Sequence, residues 1–208
     1  PIMMIDPDGR FPISPAEQDP GYVTTKVANH ASSKAMTGFS NIGLDFSKRE
    51  EMLDKETQEI EGKTISLYFP KSASEEFKNA IFGYIRKLYK TEGGKEIVDQ
   101  IIYSELDFTV KEGGTIENNS FKPVKNEDGI YTGGILTISL AEGEGDGVKF
   151  NGFYAAVHEL FHAYQLSAGS EGYIALANTM SDNGNVPLIE LQAVGFSNSV
   201  RSELQEEG

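Results

Sequence analysis

Hydrophobic positions change their period along the chain, and each change marks out an element. In the run EEFKNAIFGYIRKLYK, residues 75–90, Phe77, Ile81, Tyr84, Ile85 and Leu88 recur at helical spacing, with Ser72 or Ser74 placed to cap. Gly93-Gly94 reads as the stop of that helix. Residues 63–69 (KTISLYF) have strand character and close on Pro70, and residues 107–113 and 134–141 are β-like as well. Between the last two, ENNSFKPVKNEDGIYTGG is rich in turn formers. Helices are expected over residues 95–105 and over residues 47–60, where Ser47 is a cap and KREEMLDKETQEI supplies charged helix formers.

Further on, Asn151 is a natural cap for the helical run NGFYAAVHELFHAYQL. Residues 167–185 are small and polar and read as a loop with one helical turn. Pro187 then opens a final helix to residue 204, with Gly195 a point of interruption. Strands followed by helices, without strict alternation, predict the α+β class. Residues 1–20 hold five prolines and read as an extended lead-in to one domain over residues 21–208. The acidic glycine run EGEGDG at 142–147 does not have the spacing of a calcium loop and reads as a solvated turn.

Composition narrows the chemistry. A chain of 208 residues is long enough for a sizeable core, and 12 Phe with 9 Tyr supply bulky material for it. There is no cysteine, which excludes disulfides and thiolate metal sites, so any metal must rest on imidazole and carboxylate. The net charge is −14, and residues 139–208 hold only Lys149 and Arg201 against ten acidic residues. That sign repels phosphate backbones, so nucleic acid is not expected as a partner and a basic protein is better suited. No stretch of 18 apolar residues occurs, so no membrane insertion is expected. PIMMIDPDGR, at the start, lacks the basic and apolar regions of a secretory signal.

Two of the three histidines stand four residues apart in AAVHELFHAYQL, residues 155–166. On a helix, His158 and His162 share a face, and Glu159 is rotated from them by about 100°. This is the mechanical content of HExxH: two metal ligands and a general base on one rigid element. The apolar flanks, Ala155 to Val157 and Leu160, Phe161 and Ala163, make the helix a buried one. Buried histidines and a buried glutamate are costly unless paired or metal-bound. Zinc would need a third protein ligand, leaving a fourth position for water. Glu190, flanked by Leu188, Ile189 and Leu191, is the leading candidate; Asp182 and Glu171 lie in polar loops, and His30 is the remaining imidazole. For the oxyanion-stabilising group, Tyr164, Tyr173 and Arg201 are all candidates. The rival to a hydrolytic site is a non-catalytic effector or binding module with a structural metal site.

HELFHAYQ followed by IELQAVGFSNSVRSEL resembles the gluzincin-type metallopeptidases found as bacterial effectors and polymorphic toxins. There, HExxH precedes a helix of the form E-x-x-A-V-x-x-x-N-x-x-R, matched here by Glu190, Ala193, Val194, Asn198 and Arg201. Separately, PIMMIDPDGRFP resembles the segment that closes the core of Rhs/YD-repeat proteins before a variable C-terminal toxin, with Pro1, Asp6, Pro7 and Gly9 matching. The resemblance implies a zincin-like domain with a small mixed sheet against an active-site helix and a C-terminal helix. Beside that resemblance, the residues themselves lead us to expect a zinc ion on His158, His162 and Glu190, with Glu159, Tyr173 and Arg201 as the catalytic residues. By similarity to zincins, the strand GILTISL would be the sheet edge that receives a substrate. The partners it implies are a protein substrate in a target cell, a cognate immunity protein and a parent Rhs shell. The domain would be secreted or injected and act in the target cytoplasm.

Overall fold

A computed structural model describes residues 52–115, 118–145, 148–182 and 184–206. The lead-in over residues 1–20, and His30 with it, lies outside the described residues. The fold is α+β: a mixed five-stranded sheet and five helices.

The chain opens with a hairpin, β1 (Leu53–Ile60) and β2 (Lys63–Pro70), paired antiparallel from Leu53↔Pro70 to Ile60↔Lys63. This corrects the helix expected to run to residue 60: residues 53–60 are extended. Helix propensity in LDKETQEI is weak local preference, and it yields to the two-residue turn at Glu61 and Gly62, whose φ values are 50° and 77°. That turn fixes the register, and Ile65, Leu67 and Phe69 then alternate into the core.

Next, α1 (Glu75–Leu88) is capped by Ser74, whose hydroxyl accepts from the Phe77 N–H at 3.1 Å. It buries Phe77, Ile81, Ile85 and Leu88 as its spacing predicts, and Phe77 and Phe82 meet Phe69 of β2. Gly93-Gly94 is not its terminator. Those glycines lie in the first turn of α2 (Glu92–Tyr103), where Thr91 caps the Gly94 N–H at 3.1 Å.

Strand β3 (Asp107–Glu112) pairs parallel with β2 on one side and with β5 (Tyr131–Ile138) on the other. The segment read as turns contains β4 (Ser120–Lys125), which pairs antiparallel with β5 and forms the outer strand. Pro123 hides that strand from sequence reading, yet an edge is where a strand tolerates proline. The sheet order is therefore β1-β2-β3-β5-β4, so GILTISL, expected at the sheet edge, belongs to the internal strand β5, and β4 is the edge beside it. A short ribbon, β6 (Gly143–Gly145) with β7 (Val148–Phe150), stands where a solvated turn was expected.

The last three helices are α3 (Gly152–Ala168), α4 (Ser170–Asn178) and α5 (Leu188–Glu206). Nine residues of α4 replace the single turn expected there, and α5 runs through Gly195 without a break. The hub is α3, which touches α1, α2, α4, α5, β4 and β5. One core joins Phe108, Val110, Leu136 and Ile138 of the sheet to Val157, Leu160 and Phe161 of α3 and to Ala193, Phe196 and Val200 of α5.

Candidate metal centre

Asn151 sets the start of α3, its side-chain oxygen accepting from the Tyr154 N–H at 3.1 Å. From that cap the helix turns His158 and His162 to one side, one above the other. Helix α5 runs antiparallel to α3: Gln165 meets Gln192, Phe161 stacks on Phe196, and Tyr154 meets Arg201. Pro187 starts its first turn, its carbonyl accepting from the Glu190 and Leu191 N–H groups. That turn delivers Glu190 across the helix pair to both histidines.

The geometry is tight. His158 Nε2 lies 3.2 Å from Glu190 Oε2 and 3.2 Å from His162 Nε2, and His162 Nε2 lies 3.4 Å from Glu190 Oε1. Among the described residues, His158, His162 and Glu190 are the group whose ligand atoms all fall within 4.8 Å, and they could hold a metal ion. His162 is buried, whereas the His158 and Glu190 side chains keep 22% and 31% of their exposure. The centre thus has a dry inner side and a wet outer one.

Electrostatics reflect the packing. Burial works against an ionised Glu190, yet hydrogen bonds from His158 and His162 win and hold its carboxyl well below the ordinary range. Burial also works against a charge on His162, but the Glu190 and Glu159 carboxylates outweigh it and raise its pKa. Glu159 is only 6% exposed, and burial pushes its carboxyl up despite the counter-pull of both histidines.

The other sequence candidates fall into two groups. Tyr173, half-buried on α4, packs edge-on to Phe121 and Tyr131 with ring centroids 6.1 and 6.2 Å away. Burial raises its hydroxyl pKa, with Tyr131, Glu190 and Glu159 adding to the rise, so Tyr173 sits in the field of both carboxylates. Tyr164 faces elsewhere, donating to Glu96 of α2 at 3.4 Å. Arg201 rests its guanidinium 4.5 Å from the Tyr154 ring centroid. It lies eleven positions after Glu190, about 16 Å along α5. The structure therefore does not bring Arg201 to the ligand atoms. Glu171 and Asp182 are exposed and stand outside the group.

Two residues at the centre were missed by sequence reading. Phe121 of β4 stacks on the His162 ring at 6.2 Å and 27°. Gln165, 6% exposed, meets His162 Nδ1 with its Oε1 at 2.9 Å. A signal for Gln165 existed, a polar residue one turn after His162 in an apolar run; for Phe121, inside a segment read as turns, there was none. Comparison of the chain with family models, curated proteins and solved structures finds no match in any of the three.

Proposed function

We propose that this chain is a zincin-like zinc endopeptidase, a toxin domain that hydrolyses a protein inside a target cell. The observation that carries the reading is the spacing of the three ligand atoms. Tetrahedral ligands at ordinary zinc–nitrogen and zinc–oxygen bond lengths stand about 3.3 Å apart. The three separations here are 3.2, 3.2 and 3.4 Å. A donor set of two imidazoles and one carboxylate, open on one side, is that of a catalytic rather than a closed structural site.

Bound there, zinc supplies a Lewis acid for a carbonyl and a water of lowered pKa. His158, His162 and Glu190 are its ligands. Glu159 is the general base: it takes the proton of the attacking water and hands it to the leaving amine. A carboxyl raised by burial is suited to that exchange, because it must both accept and return a proton near neutral pH. Tyr173, its hydroxyl held protonated, donates to the oxyanion that develops on the scissile carbonyl. We assign Arg201 to bracing α3 against α5 through Tyr154, not to the reaction. The outer strand β4 offers the edge to which a substrate backbone adds as a further strand.

The wider setting rests on resemblance. Residues 1–12 support release from a parent Rhs shell that is secreted or injected, with action in the target cytoplasm. The charge of −14 favours a basic face on the substrate or on a cognate immunity protein and disfavours nucleic acid. The test is Glu159→Gln, compared with wild type by mapping new N-termini across a target-cell proteome. Zinc uptake is expected to persist while cleavage falls by about 10²- to 10⁴-fold. Full cleavage by that variant overturns the hydrolytic assignment.

A further inference from the structure

Gln165 lies between the two helices that carry the three ligands, and its amide has a polarity that can be worked out. Its Nε2 lies 3.4 Å from the Ile189 carbonyl oxygen and 3.0 Å from Gln192 Oε1. A backbone carbonyl only accepts, so the amide atom facing Ile189 must be the NH₂ group. Oε1 then faces His162 Nδ1 at 2.9 Å, and Nδ1 must carry the hydrogen. In the neutral ring this leaves the lone pair on Nε2, the atom that faces His158 and Glu190.

The second arm of the amide acts on the other helix. Ile189 and Gln192 flank Glu190 in the first turns of α5. One buried amide therefore grips the turn that delivers the third ligand while it dictates which nitrogen of the second is free. Both of its N–H groups and its oxygen are used, which makes it a fully satisfied buried polar group with one stable orientation.

We propose that Gln165 is the positioning residue of the metal centre, fixing the His162 tautomer and the seat of Glu190 through one amide. The proposal rests on the zinc reading of the site but not on peptide hydrolysis. Its test is Gln165→Met, close in volume and unable to make the three hydrogen bonds. Zinc chloride alone is titrated against a chelating dye, and the imidazole nitrogens are followed by ¹⁵N NMR at alkaline pH in metal-free protein.

In wild type, His162 is expected as the Nδ1–H tautomer. In Gln165→Met the Nε2–H form appears and zinc affinity falls by about 10- to 100-fold. A merely structural amide would shift thermal stability and leave the tautomer alone. An Nε2–H ring in the wild type overturns the proposal even where the variant does not fold, and so does unchanged zinc affinity in a folded variant. Wild-type protein that takes up no zinc overturns both this and the site. Absence of cleavage by a zinc-loaded wild type sinks the peptidase reading alone, because neither measurement here reads cleavage.

Discussion

The two outer strands of the sheet have the same position in the topology and opposite relations to the chemistry. Both β1 and β4 run antiparallel to the strand they flank. Lys55 and Glu59 stand exposed on β1, which shields an open edge from unwanted pairing, and Glu56 is tied to Lys78 of α1 at 2.8 Å. On β4, Phe121 turns inward and lies against His162, Tyr173 and Phe108. Four strand spacings separate the two edges, about 19 Å. One edge is insulated from the proposed metal centre by the width of the sheet, and the other touches it through a single ring.

The sharpest way to test that contrast is at the ligand itself. Glu190→Ala should abolish zinc binding in an equilibrium titration, since it strips one of the three proposed ligands from the group. Zinc at 100 times its dissociation constant should stabilise the wild type by about 2.7 kcal/mol, and a chelator should remove that gain in a thermal scan. Gly134→Ala probes the β4 edge: the added Cβ would fall 2.3 Å from a Phe121 ring carbon. Overpacking there should cost about 1–3 kcal/mol in urea denaturation. Because the displaced ring lies on His162, zinc affinity should fall as well. Gly62→Ala probes the opposite edge, where φ is +77° and nothing stands within 4 Å of the new Cβ. It should cost about 1–2 kcal/mol of stability and leave zinc affinity untouched. Smallest of all, Lys55→Ala should stay within about 0.5 kcal/mol by the same denaturation measurement. A loss of zinc affinity in either β1-side variant would break the comparison.

Both edges were misread from sequence, for different reasons. In β1, Lys55, Glu56 and Glu59 favour helix locally, and only pairing across the Glu61-Gly62 turn makes the segment a strand. In β4, proline and lysine mimic a turn, and only the free outer side of the strand accommodates them. What was legible had its cause written locally. The caps at Ser74 and Asn151, the apolar face of α1 and the two histidines on one turn of α3 depend on neighbours within a few residues. Glu190 could be singled out because an acid among Leu188, Ile189 and Leu191 needs a partner, although which partner is a matter of helix packing. Tyr173 stood level with Tyr164 and Arg201, and only tertiary structure sets its ring beside Phe121 while sending the other two elsewhere. Phe121 illustrates the limit, since its contact with His162 crosses 41 positions of chain.

The antiparallel pairing of α3 with α5 has one more consequence. Any ion shared by His162 and Glu190 closes the 28-residue span between them, which contains α4, into a loop. It would act as a staple that restricts the unfolded chain, as a cross-link does. Made without sulfur, such a staple survives reducing conditions and yields to chelation, so metal removal should loosen α4 and its tyrosine before the sheet gives way.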